Sequence, residues 1–300
     1  ANSTISGGSV FGNQAAREGG GLWNNSGTMR IQNGTLIDGN TAFGAAADDG
    51  GGGIFNNAGT LIVDGSASEV KITNNFADGA SGSGGGIFTL GGTLNVSGAL
   101  ISGNRANRAG GGIETTAGST TTLTNVKLNN NNAGGLAPAP GNGGGLHITG
   151  AGNAIISGGE AKDNVAANEG GGLWNGSGTM TINGILISGN TASGALATNG
   201  GGGLFNFSGN VNATGVTITA NTADGAAGSG GGVLSSAGSV SINNSTISLN
   251  AARRAGGGIE VIEGSLLLIG TNLVNNDVNG LAGAASPGNG GGLHISGAAN

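Results

Sequence analysis

The phrase GGGLWNNSGTMRIQNGTLIDGNTA at residues 19–42 returns almost unchanged at residues 170–192, as GGGLWNGSGTMTINGILISGNTA. Looser copies lie between and beyond these two. A chain that restates one short pattern is built of small units that cannot bury an apolar face alone and gain a core by stacking. The apolar residue after each Gly-Gly-Gly supplies an anchor: Leu22, Ile54, Ile87, Ile113, Leu146, Leu173, Leu204, Val233, Ile259 and Leu293. Successive anchors lie between 26 residues (Ile87 to Ile113) and 34 residues (Ile259 to Leu293) apart.

A longer period overlies the first. The residues just after the anchors run Trp23, Phe55, Phe88, Glu114, His147 and then Trp174, Phe205, Leu234, Glu260, His294. PGNGGGLHI at 140–148 returns at 287–295, and AGGGIE at 109–114 returns at 255–260. The chain therefore divides into a five-coil block over residues 1–150 and a second, continuous with it, over 151–300. SGAAN at the end would run into ANSTISGG at the start much as TGAGN runs into AIISGG, so the chain reads as a segment of a repeating assembly.

Within a unit the apolar phrases are short: Leu22-Trp23, Thr28-Met29-Arg30-Ile31, Thr35-Leu36-Ile37. They alternate or are briefly apolar, carry β-branched residues, and are separated by Asn-Gly, Ser-Gly and Gly-Asn turn signals. No helical period is sustained. The expected fold is all-β, a right-handed parallel β-helix of about ten coils, with handedness following the general rule for parallel crossovers. With 71 glycines among 300 residues, the composition invites a reading of disorder. The 36% apolar content and the 8% charged content oppose it. Asparagines recur after a strand at Asn40, Asn75, Asn104, Asn164, Asn190, Asn221 and Asn250. Asn tolerates left-handed backbone, and its amide can bond the same amide above and below, so these predict an internal ladder. The Gly triplets predict a bend with positive φ, or backbone packed too close for a Cβ.

The phrase ISGN-x-A … GGGI resembles the repeats of bacterial right-handed β-helix surface proteins. The comparison is with polymorphic outer-membrane proteins, with their GG-aliphatic-aliphatic and FxxN tetrapeptides, and with autotransporter passenger domains; Phe55-Asn56-Asn57 and Phe205-Asn206 approach FxxN. The resemblance spans essentially the whole chain. It implies an extracellular or cell-surface protein and brings no catalytic residues.

Function classes narrow by chemistry. There is no cysteine, hence neither disulfides nor thiolate metal sites. No apolar run approaches the roughly 18 residues that span a membrane. Nine Lys and Arg in a chain of net charge −6 leave no basic footprint for nucleic acid. Glycoside chemistry needs two facing carboxylates, and neither Asp48-Asp49 nor the Asp64, Glu69, Lys71 patch recurs in the second block. Asp78 and Asp224 open similar Gly-rich loops, but each brings one carboxylate where calcium takes six to eight oxygens. Ice binding would want ranked threonines, and Thr121-Thr122 and Thr179-Thr181 read as scattered. No catalytic residue, metal or cofactor is expected.

What remains is surface. If each anchor points inward, strand alternation turns the next residue outward. Trp23, Phe55 and Phe88, then Trp174, Phe205 and Leu234, would form an apolar stripe for lateral self-association, unless the long loops fold over it. Glu114 with His147, and Glu260 with His294, lie on neighbouring coils about 5 Å apart and should pair at the surface, with Arg108 and Arg254 close by. Loops of Ala, Gly, Ser and Pro, such as residues 134–140, suit packing of identical neighbours. The expected partner is another copy of the chain, in a fibre, sheath or stalk. A cell-surface adhesin that offers its loops to glycan or protein is the alternative, and a polysaccharide lyase or hydrolase comes third.

Overall fold

A computed structural model describes residues 1–134, 140–279 and 287–297. Residues 135–139, the middle of the small-residue loop at 134–140, lie outside the described residues. Every strand pairing is parallel, and each joins one coil to the next, giving a β-solenoid of about nine turns between ten rungs of the anchor sheet. No described residue is helical.

One coil shows the plan. Thr28–Gln32 and Leu36–Asp38 lie on a wide sheet, Thr41–Ala42 on a narrow one, and Ile54–Asn57 on the anchor sheet. The second and third apolar phrases thus share one 18-stranded sheet, bent at the left-handed Asn33-Gly34 pair. The sheet of two-residue strands has no counterpart among the apolar phrases, because it spends only one small inward residue per coil. That residue forms a column of alanines, Ala15, Ala42, Ala77, Ala106, Ala133, Ala166, Ala192, Ala223 and Ala252. A larger side chain would push this short face away from the shaft. Opposite it, the anchors stack in register with inward Leu, Ile and Val of the wide sheet to make one continuous core.

Among the described residues the asparagine ladder has ten rungs: Asn13, Asn40, Asn75, Asn104, Asn131, Asn164, Asn190, Asn221, Asn250 and Asn276. From Asn13 to Asn250, each amide nitrogen donates to the next coil's Oδ1 at 2.8–3.0 Å. From Asn40 onward it also donates to a carbonyl of the preceding coil, as Asn104 does to Ile72 at 2.8 Å. The backbone N–H joins the same Oδ1, at 3.0 Å from Asn75 to Asn104. The left-handed residue of this corner is the one before each ladder Asn: Gly39, Asn74, Gly103, Asn130, Asp163 and their equivalents all have positive φ. The ladder Asn is there for its amide, since the turn is made one residue earlier.

The ladder in turn explains the Gly triplet. Gly84 turns the chain at φ 64°. A Cβ on Gly85 would stand 2.3 Å from the Arg105 carbonyl oxygen, backbone of the next coil that cannot withdraw. A Cβ on Gly86 would stand 2.7 Å from the Gly112 oxygen and 3.1 Å from the Asn104 amide. Both expected reasons for glycine operate, at different positions of the same triplet.

Candidate functional site

Stacking the anchors in register necessarily stacks the residues after them. Trp23 to Phe55, Phe55 to Phe88, Phe88 to Glu114, Glu114 to His147, His147 to Trp174, Trp174 to Phe205, Phe205 to Leu234, Leu234 to Glu260 and Glu260 to His294 are adjacent-coil partners. The column faces away from the main core, as alternation requires. It is not exposed. Phe55, Phe88, Glu114, Leu234 and Glu260 are completely buried, and Phe205, His147 and Trp174 nearly so. The lateral stripe expected of Trp23, Phe55, Phe88, Trp174, Phe205 and Leu234 is therefore corrected: only Trp23, 44% exposed at one end of the shaft, reaches solvent substantially.

The roof has two causes. The loops leading into the triplets pair with one another through Gly50, Ser83, Ala109 and Asn142, and again through Gly200, Ser229, Ala255 and Asn289. The first glycine of each triplet also packs on the column: a Cβ at Gly143 would lie 2.5 Å from the His147 Cβ, and one at Gly84 2.7 Å from the Phe88 Cβ. The result is a second, thin core outside the anchor sheet. Its aromatic part is directional, with Phe55 and Phe88 edge to face at 5.1 Å and Trp174 stacked on Phe205 at 5.8 Å.

The charged part of the column is a buried network. Glu114 Oε2 lies 2.7 Å from His147 Nδ1, and Thr149 Oγ1 donates to Glu114 Oε1 at 2.5 Å. The direction of the Nδ1–Oε2 hydrogen bond follows the imidazole tautomer. Arg108 reaches the same carboxylate at 3.8 Å and donates to Ser83 Oγ at 3.0 Å. These are interior contacts, where the spacing suggested a surface pair. His147 lies against the Trp174 ring at 4.2 Å, and Trp174 Nε1 donates to Glu169 at 3.1 Å. Glu169 also accepts from Asn199 Nδ2 at 2.7 Å. The second block repeats the first half of this chain of contacts: His294 Nδ1 lies 2.9 Å from Glu260, Arg254 lies 3.5 Å from it, and Ser296 donates to it. The first block repeats the other half, Trp23 Nε1 donating to Glu18 at 3.1 Å.

Glu18, Glu169, Thr149 and Ser296 escaped the sequence reading. The signal was present: EGGGLW occurs at both 18–23 and 169–174, and a hydroxyl follows each His by two residues. A second set of amides lies beside the column, Asn24 donating to Asn56 at 2.7 Å and Asn175 to Asn206 at 2.9 Å.

Burial pushes the Glu169 carboxyl above its usual 4.5, and the hydrogen bonds from Trp174 and Asn199, with the nearby His147, offset this only in part. A group whose folded pKa is raised binds its proton more tightly in the native state, so stability falls as pH climbs from 4.5 through the folded value. Urea denaturation between pH 4 and 7 should show this decline in the wild type and a flatter profile in Glu169→Gln. Equal slopes in the two proteins would contradict the assignment. Asp49 acts in a different window. Burial raises its pKa, but the Ala46 N–H and Arg17 outweigh that and hold it below 3.8, so its contribution is lost only as pH falls below that value.

The wide sheet's outer face carries an order that linear reading missed. Thr121 points inward, while Thr120, Thr122 and Thr124 point outward. Register places Asn95, Thr122, Ile155, Thr181, Asn212 and Ser241 in one rank. Ser97, Thr124, Ser157, Asn183, Thr214 and Asn243 form the next; these stretches carry no charge, and the same ranks continue into the preceding coils through Ile62 to Arg30 and through Asp64 to Gln32. Asp64 and Glu69 are engaged instead with Arg30 at 2.9 Å and Lys127 at 2.8 Å. Among the described residues no three His, Asp or Glu side chains converge as metal ligands would. The His147 side chain is only 4% exposed, which leaves a substrate no approach to it. The chain matches no protein family, no curated protein and no solved structure.

Proposed function

We propose that the protein is a structural β-solenoid of the cell surface or extracellular space, a segment of a fibre, sheath or stalk. The observation that supports this best is the uninterrupted ladder from Asn13 to Asn276, which couples every coil to the next through buried side-chain amides as well as backbone. Such a shaft resists bending and local opening, because a coil cannot leave without breaking bonds on both sides. The interior placement of the charged and aromatic column fits the same role, since these groups lock loops onto the shaft. The resemblance of the repeat phrase to bacterial surface repeats supports the location. Immunogold labelling of intact source cells with antibody to this chain tests it: a continuous labelled surface layer or appendage is expected, and label confined to the cell interior would refute it.

The adhesin reading is favoured by one observation, the stretches of hydroxyls and amides from Asn95 to Ser241 and from Ser97 to Asn243 on the wide sheet. It now rests on that face instead of the loops. Binding to an insoluble polysaccharide, lost when Thr122 and Thr181 are both replaced by Lys, would move function from shaft to adhesin.

A further inference from the structure

We propose that the wide sheet's outer face binds ice, the six coils from Thr93 to Asn243 presenting a rigid, uncharged lattice of hydroxyls and amides to the crystal. This goes beyond the structural reading above and stands independently of it. Beside the ranks from Asn95 to Ser241 and from Ser97 to Asn243 runs a third, through Thr93, Thr120, Asn153, Thr179, Asn210 and Ser239. Eighteen side chains point outward from these strands: seventeen are Ser, Thr or Asn, and the other is Ile155. None is charged and none is aromatic.

The composition belongs to this face and not to the chain at large. Across the bend, the same coils turn Lys127, Glu160 and Lys162 outward. The patch ends inside the shaft on both sides. The two preceding coils bring in Arg30 and Asp64, paired at 2.9 Å, and the following one brings Leu267 and Ile269. Within the patch, Thr120, Thr122, Thr124, Thr181, Asn212 and Thr214 make no side-chain hydrogen bond among the described residues, so their polar atoms are free for a partner.

Ice matches this chemistry. Hydroxyls and amides each donate and accept, as every water in the crystal does. Face and crystal are both neutral, so no charged group holds a shell of liquid water between them. Strands repeat at about 4.8 Å along the shaft and outward residues at about 6.6 Å across it, close to the two oxygen repeats on a prism face of hexagonal ice. The asparagine ladder keeps those spacings fixed, so many coils meet the crystal at once with little ordering cost. Other occupants fit less well. Small ligands take concave sites lined by apolar and aromatic side chains, and the apolar face of a sugar has no aromatic ring to stack on here. A second copy finds too little surface: six coils by five residues cover roughly 500 Å², against about 800 Å² per partner in a stable interface.

The test grows ice slowly on a cold finger from a solution of the 300-residue chain and compares protein in the ice with protein left in the liquid. Wild type should enter the ice, and crystals grown in its presence should be faceted. Thr122→Lys with Thr181→Lys, two outward changes that put charges into the middle rank, should be excluded as an ordinary solute is and leave the crystals unfaceted. Thr181→Lys alone should be partly excluded. Thr217→Lys, an exposed change across the bend, should behave as wild type. Circular dichroism checks that each variant folds. Wild type excluded from ice, or a double variant that enters it as wild type does, would overturn the proposal. So would loss of binding in Thr217→Lys, which would trace the effect to net charge and not to this face. Wild type excluded from ice but retained by powdered cellulose or chitin would give the face to a polysaccharide instead. Immunogold labelling reads the structural role separately, so either result stands without the other.

Discussion

Replacing Asn104 by alanine should cost about 3–5 kcal/mol, because a single truncation orphans several buried groups at 1–3 kcal/mol each. The Asn75 backbone N–H and side-chain amide both lose their acceptor, and the Ile72 carbonyl loses its donor. Asn131 Oδ1 loses both of its donors from the preceding rung if the corner shifts. All of these atoms are in the interior and no water can replace the partner. The damage should also be directional, since coils are coupled only to their neighbours. Hydrogen exchange should show protection falling in the coils around Asn75 and Asn131 and staying near wild type beyond Val233. Uniform loss along the whole chain would mean that the solenoid opens as one unit and that the ladder adds no local coupling.

Glu114→Ala should cost a similar amount, about 3–5 kcal/mol, the penalty for removing one member of a buried charged pair. The carboxylate takes three contacts, from His147, Thr149 and Arg108, and is itself inaccessible. Its removal leaves the imidazole without its partner under the roof and frees Arg108 from the loop that covers the column. The same change at Glu260 should cost less than half as much. His294 is 19% exposed where His147 is 4%, so water can reach the orphaned ring. Thermal or urea unfolding of the two variants side by side checks this, and equal losses would contradict the burial argument. Glu114→Gln, which retains one acceptor, should fall between wild type and Glu114→Ala.

The coil plan was legible because its determinants are local. Alternation in Thr28–Gln32 and the turn at Asn33-Gly34 are visible in a window of ten residues. Seven of the ten ladder rungs were equally visible, since each follows a strand at a fixed offset. Asn131 and Asn276 were hidden by neighbouring asparagines that compete for the same register, and Asn13 lies ahead of the first anchor. The fate of the Trp-Phe-Phe-Glu-His column was not legible. Alternation correctly turns it away from the main core, but its cover comes from loops whose pairing, such as Gly50 with Ser83, joins residues a whole coil apart. Those loops have Ala, Gly and Ser composition that carries no periodic signal. For the same reason the ranked hydroxyls around Thr122 and Thr181 looked scattered: coils of 26 to 34 residues blur linear spacing, and only register aligns them.

We propose that the five-coil block is the axial unit of a built material. Cryo-electron microscopy or fibre diffraction of the native assembly tests it most directly. Coils about 4.8 Å apart should give a strong meridional reflection at that spacing, and a five-coil block should add an axial repeat of about 24 Å. Both spacings along one shaft are expected. Particles that are isolated, or fibres that show the coil spacing with no five-coil repeat, would contradict it.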